Sequence, residues 1–256
     1  MEIIKELWTS FNDIMFEESS HSYTDSEFTK YTSATTWVQN FVPQVDWDLM
    51  AERVARKQGK TKQEIIDLWD YKKNYACDLG TEIHSVMENL WQKKNYTLNN
   101  KLVEKYPEIE EDFRNRRILS IDLYGKLKNA YAPVATELIV YDKELKLCGT
   151  LDFLGLRLKD NTYTIMDWKT SKKIEKENKF GKIMKQPFAD YDNCNFVEYS
   201  LQLSLYKYIL EKNTSIKINE LLVFQIPACG EKLQVVKCID FSERIKILME
   251  KKAMQN

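Results

Sequence analysis

"TELIVYDKELKLCGTLDFLGLRLKDNTYTIMDWK", residues 136–169, decides what kind of fold this chain builds. Three runs, "APVATELIVYD", "LKLCGTLDFLGLRLK" and "TYTIMDWK", are rich in strand-forming residues. Lys143-Glu144 and Asp160-Asn161 separate them and read as two-residue turns, so the three runs predict a meander. The last run breaks a rule. Ile165 and Met166 suit a sheet interior, yet Asp167 and Lys169 follow at once, flanking Trp168, where a core strand stays apolar.

Strand parity says which of these side chains meet. Residues two apart share a face, so Asp167 and Lys169 point one way and Trp168 the other. A two-residue turn at Asp160-Asn161 sets Asp152 opposite Lys169 and diagonal to Asp167, about 7–8 Å away. Counting likewise about Lys143-Glu144 sets Glu137 opposite Thr150, which shares a face with Asp152. Glu137, Asp152, Asp167 and Lys169 thus converge on one patch of sheet, unless a bulge shifts the register.

Three carboxylates in one place repel, and burial raises the penalty. A divalent cation removes it; Mg²⁺ typically takes one or two protein carboxylates plus water and phosphate oxygens. A lysine beside such an ion can orient or help deprotonate an attacking water, or steady charge developing on phosphorus. An isolated D-x-K pattern is commonly a surface ion pair, so the neighbouring residues decide between the two readings.

Outward from the meander, "WDLMAERVARKQG", "TKQEIIDLWDYKKNYACDLGTEIHSVMENLWQKKN" and residues 108–130 carry apolar residues at helical spacing, with Thr61 and Glu64 placed for a capping box. "SHSYTDSEFTKYTSATTWV" includes a short hairpin. After the meander, "FVEYSLQLSLYKYILEKN" reads as a strongly amphipathic helix, "INELLVFQIPA" and "KLQVVKCID" as strands, and "SERIKILMEKKAMQN" as a closing helix. This order predicts an α/β (α+β) fold with a mixed central sheet flanked by helices. No linker divides the chain, so 1–256 reads as one domain, with 1–75 a mainly helical N-terminal extension and 76–240 the core.

Composition narrows the partners. Lys and Arg number 38 against 39 Asp and Glu, a formal charge of −1, so no global field attracts polyanions and any nucleic-acid contact comes from a local patch. The five cysteines are scattered, with no C-x-x-C, which argues against a zinc knuckle or disulfide framework. No signal peptide or long apolar run is visible, so a soluble, cytoplasmic chain without a membrane partner is expected.

Taken together, "GTEIH" (80–84), Glu137, "GTLDFL" (149–154), "DWKTSK" (167–172) and "QLSLY" (202–206) resemble the PD-(D/E)xK nuclease superfamily. They look most like its RecB-type exonuclease branch, which includes the mitochondrial genome-maintenance exonuclease, the CRISPR-adaptation nucleases and many phage exonucleases. The family pattern is a G-x-x-H helix, a glutamate strand, a G-x-x-D strand, a D/E-x-K strand and a Q-x-x-x-Y helix, and all five occur here in order. "SATTWVQNF" (33–41) resembles the serine-threonine segment that often precedes the histidine helix. The resemblance implies a restriction-endonuclease-like core and Mg²⁺- or Mn²⁺-dependent phosphodiester hydrolysis, with one or two ions. It implies Asp152 and Asp167 as metal ligands, joined by the Trp168 backbone carbonyl and His84. It makes Lys169 the catalytic lysine, Glu137 an acid in or beside the metal shell, and Gln202 with Tyr206 a pair that supports the site or touches DNA.

Each residue has a plainer reading. A lone helical histidine such as His84 is often a capping or surface group, and Gln202 with Tyr206, four apart on one helix face, could be simple packing. Lys169, Lys172, Lys173, Lys176, Lys179, Lys182 and Lys185 form a run that could be a solvated face. Because the run leaves the site directly, Lys172, Lys173 and Lys176 are expected to track phosphates, with Phe180, Phe188 and Tyr191 as base-stacking candidates. Some relatives hold an iron–sulfur cluster on four cysteines; here Cys77, Cys229 and Cys238 offer no close trio, which argues against a cluster.

The expected function is a metal-dependent DNA exonuclease acting on single-stranded or duplex DNA with a free end, in replication, recombination or repair. Its competitors are a structure-specific endonuclease of the same superfamily, a non-catalytic DNA-binding module, and a protein-interaction surface.

Overall fold

The computed structural model describes residues 2–17, 20, 22–228 and 230–254. The chain opens with α1 (Glu2–Ser10) and three short strands, β1 (Met15–Glu17), β2 (Ser22–Thr24) and β3 (Lys30–Ser33). Helices α2 (Ala34–Gln39), α3 (Trp47–Gln58), α4 (Lys62–Trp91), α5 (Asn100–Lys105) and α6 (Ile109–Leu127) follow. Then come β4 (Tyr131–Asp142), β5 (Leu147–Arg157), β6 (Thr162–Lys169), α7 (Asn195–Asn213), β7 (Ile218–Gln225), β8 (Gln234–Lys237) and α8 (Ser242–Ala253). Thr61 and Glu64 do form the capping box that starts the 30-residue α4, each side chain taking the other's backbone N–H.

Among the described residues the eight strands make one mixed sheet, ordered β1-β2-β3-β5-β6-β7-β8, with β4 on the far edge of β5. The hairpin expected in residues 20–38 is β2–β3, and it is part of this sheet, since β3 runs parallel to the start of β5. Helices cover both faces, matching the expected restriction-endonuclease-like arrangement. Leu154 and Ile165 belong to one apolar layer with α1, α2, α7 and α8; Phe153, Met166 and Trp168 belong to the other, with α4 and α6.

Two sequence expectations need correcting. The turns are four residues long, 143–146 and 158–161, ending in Lys146 and Asn161 at φ 51° and 55°. Counting from the most polar pair overlooked that such hairpins close through a left-handed residue. Each error moves the register by two residues, so faces are preserved while partners change. Asp152 therefore falls in line with Asp167 instead of Lys169, and Glu137 falls in line with Asp152 instead of Thr150. The second correction concerns α7. It is not an amphipathic surface helix: Leu201, Leu203, Ser204 and Leu205 are all buried, which no single stripe can supply, so α7 is a core helix.

Candidate active site

The site forms where β5 changes neighbours. Leu147 and Cys148 pair with β3 and Phe153 to Arg157 pair with β6, on the edge opposite β4; residues 149–152 between them have no ladder partner on that edge. The carboxylate of Asp152 stands in for the missing backbone acceptor and takes the Trp168 N–H at 2.7 Å. Across β5, the β4 ladder is interrupted at Glu137, whose backbone is left-handed, φ 48°. A non-glycine residue there costs on the order of 1–3 kcal/mol, and such outliers gather at functional sites. The result is a transverse row, Glu137–Asp152–Asp167, one acid per strand.

From α4, His84 reaches over the end of β6. Its Nε2 donates to the Trp168 carbonyl at 2.8 Å, which leaves Nδ1 facing Asp152 Oδ1 at 3.4 Å and Glu137 Oε1 at 3.8 Å. His84, Glu137 and Asp152 offer ligand atoms that all lie within 4.8 Å of one another. Asp167 stands next to this trio, with Lys169 Nζ 2.7 Å from its Oδ2. That contact is an ion pair without hydrogen-bond geometry: both Asp167 oxygens and Glu137 Oε1 are buried with no hydrogen-bond partner. Buried carboxylate oxygens left open beside an imidazole and a backbone carbonyl are the donor set that fits a divalent cation.

Electrostatics show how unsettled the acids are without an ion. Burial, with Asp152 alongside, pushes the Asp167 carboxyl up to about 6. Burial likewise raises Glu137. It would raise Asp152 too, but His84, Lys169 and the Trp168 N–H hold that group below its ordinary value. For His84, burial pulls down while Asp152 and Glu137 more than reverse it, leaving the imidazole well above its usual range. Lys169 behaves the same way, held up by Asp167 and Asp152, and so is firmly charged.

α7 closes the face on which Lys169 lies. Lys169 Nζ donates to Gln202 Oε1 at 3.4 Å, and Gln202 Nε2 donates to the Tyr206 hydroxyl at 3.0 Å. Tyr206 lies directly on β5: a Cβ at Gly149 would meet its ring at 2.6 Å, so only glycine admits this contact. Sequence reasoning missed Tyr199, whose ring centroid is 5.0 Å from Lys169 Nζ. The signal was present, since Tyr199 sits three residues before Gln202 on the same helix face.

The lysine run is built differently. Residues 170–194 leave the sheet as an irregular segment pinned by buried Ile174, Met184 and Phe188. Lys173 and Lys179 pair with Glu175 at 3.6 and 3.7 Å, Lys176 lies over the Phe196 ring, and Lys172 is exposed. Of the three stacking candidates, Phe188 is buried and Tyr191 packs edge-on to Phe241, so both are packing residues; Phe180 alone is solvent-exposed. Cys77 is exposed and Cys238 buried, and Cys229 lies outside the described residues. Among the described residues no helix is long and apolar enough to cross a membrane.

The family model of the PD-(D/E)XK nuclease superfamily matches residues 63–237, more than half of the chain. No curated protein matches. Among solved structures 18 chains match; one, described as "Crystal structure of SSO0001", is 15% identical over 73% of this chain and 75% of its own, with a TM-score of 0.29. At that similarity nothing further rests on it.

Proposed function

This chain belongs to the PD-(D/E)XK nuclease superfamily, and from that premise we propose that it is an Mg²⁺- or Mn²⁺-dependent DNA exonuclease. The observation that carries the reading is the row Glu137–Asp152–Asp167, with open buried oxygens and the Lys169 amine 2.7 Å from one of them. A surface ion pair has no reason to bury two acids beside a half-buried third. The exonuclease assignment rests on the ordered motifs' likeness to the RecB-type branch.

Asp152, Asp167, Glu137 and His84, with the Trp168 carbonyl, would hold the ion. When bound, Mg²⁺ or Mn²⁺ supplies Lewis acidity, polarising the scissile phosphate and acidifying an attacking water. The protein's own part is positional and electrostatic. Lys169, kept charged by Asp167 and Asp152, presents a fixed cation where negative charge builds on the phosphate as water attacks phosphorus and the sugar oxygen departs. Gln202 limits where the amine can swing, and Tyr206 limits Gln202. Beyond the site, Lys172, Lys173 and Lys176 offer phosphate contacts to the strand being degraded.

The test is a gel of end-labelled linear DNA, single- and double-stranded, beside a circular single strand, with Mg²⁺, Mn²⁺ or EDTA. Metal-dependent degradation of linear substrate with an intact circle is the expected result. A cut circle makes the enzyme an endonuclease instead. No hydrolysis with either metal overturns the reading.

A further inference from the structure

Where β6 ends, the sheet stops supplying hydrogen bonds. The last ladder bond runs from the Ile226 N–H to the Lys169 carbonyl, at 2.8 Å. Beyond it the carbonyls of Thr170, Ser171, Lys172 and Ile226 have no strand to receive them, and such ends fray unless something else donates. Here two buried side chains donate to all four. Arg116 of α6 gives Nη1 to Thr170 O at 3.1 Å and also to Ile226 O. Gln225 of β7 gives Nε2 to Ser171 O at 2.9 Å and to Lys172 O at 2.8 Å. Arg116 is 6% exposed and Gln225 1%.

Neither group is a cheap way to hold a strand. A buried guanidinium carries a desolvation penalty that an apolar residue would avoid, and Gln225 leaves its own Oε1 buried without a partner. Arg116 is itself aimed. Asp112, one turn earlier, accepts its Nε at 3.0 Å and takes the Tyr75 hydroxyl of α4 at 3.2 Å. The helix that carries His84 is thereby tied, through Asp112 and Arg116, to the backbone just past Lys169.

We propose that Arg116 and Gln225 are positioning residues for Lys169. They fix the three peptide carbonyls that follow it, so that its amine stays at Asp167 and the lysine run starts in one direction. This rests on the nuclease reading above, in which Lys169 takes part in the chemistry.

The experiment compares Gln225→Met and Arg116→Met with the wild type and with Lys169→Ala. Each variant should lower kcat by about 10²-fold, as a displacement near 1 Å would, with KM and the Mn²⁺-induced rise in Tm unchanged. Neither should lower kcat further when added to Lys169→Ala, because a group acting only through Lys169 has nothing left to position. Arg116→Lys should recover part of what Arg116→Met loses, and it replaces that variant if Arg116→Met does not fold. Independently of activity, hydrogen exchange in the metal-free protein should accelerate at the Ile226 amide and not in the β4–β5 ladder. Additive losses on Lys169→Ala, a change confined to KM, or unaltered exchange at Ile226 would each overturn the assignment. Were the wild type inactive, the nuclease reading would fall, and the exchange result alone would decide whether these two side chains hold the strand end.

Discussion

Two groups of charges lie next to each other in this chain, and they are built on opposite terms. Glu137, Asp152 and Asp167 sit on three neighbouring strands, with Asp152 and Asp167 buried and several oxygens unpartnered. Lys172, Lys173, Lys176 and Lys179 follow on an irregular segment, in or near water, two of them sharing Glu175 as their ion-pair partner. The acids are held against their own repulsion by strand geometry, down to a left-handed backbone at Glu137. The lysines are held by little beyond the chain's route. Charge assembled at a cost to stability is there for chemistry; charge left in solvent acts at long range and is screened by salt.

The comparison breaks most visibly at the acids. Asp152→Asn and Asp167→Asn should each lower hydrolysis by at least about 10³-fold, because each weakens the site where the ion would bind. Both proteins should remain folded by circular dichroism. The Mn²⁺-induced rise in Tm, worth about 2.7 kcal/mol at a hundredfold excess over Kd, should disappear in Asp152→Asn. Wild-type turnover in either variant would remove the metal site from the account.

Lys169 lies on the boundary between the two groups, and Lys169→Ala should place it with the acids. Single-turnover rates should drop about 10²–10⁴-fold while the metal-dependent Tm shift survives, since the amine is not a ligand. Saturating DNA should restore none of the loss.

The strain in the acid row also has a pH signature. Asp167 titrates near 6 in the folded protein against an ordinary 3.8, so the folded state keeps a proton that the unfolded chain has released. The stability this contributes is complete below about pH 4 and is lost as pH rises through about 6. Glu137 is shifted in the same direction, whereas Asp152 is lowered and works against them only toward acid. In EDTA, the stability advantage of Asp167→Asn over wild type should therefore grow between about pH 4 and 7, to an order of 2 kcal/mol. Urea melts at three pH values measure it, and a pH-independent difference would mean the carboxylate is not destabilised by its site.

The smallest effect belongs to the lysines. Neutralising Lys172, Lys173 and Lys176 together should raise KM and leave kcat at saturating DNA near wild type. The salt slope of single-strand binding should flatten by about 0.7 log unit per lost phosphate contact. Lys173, already paired with Glu175 at 3.6 Å, should contribute least of the three. A fall in kcat equal to that of Lys169→Ala would erase the distinction between the two groups.

Much of this was legible in the sequence because it is local. Strand alternation placed Asp167 and Lys169 on one face and Trp168 on the other, and the structure keeps them so. Helical spacing put Gln202 over Tyr206. The turn lengths were misread, yet the error was even, so the convergence of the acids survived a wrong register. Arg116 was invisible: it lies 54 residues from Thr170 and 110 from Ile226, and nothing in its neighbours marks it as anything other than a surface arginine.

What the sequence determined by itself is the identity and facing of the reactive side chains, because periods of 2 and 3.6 act over a few residues. Only the tertiary structure decided which acids stand in one row, that β3 and β6 share an edge of β5 and leave Asp152 between them, and that α7 is buried on every face over residues 200–206. It also set Glu137 in a left-handed conformation and brought Arg116 and Gln225 to the strand end. Those outcomes depend on which distant elements pack together, and that is settled by burial and by satisfying buried polar groups across the whole chain, a balance that no short stretch contains.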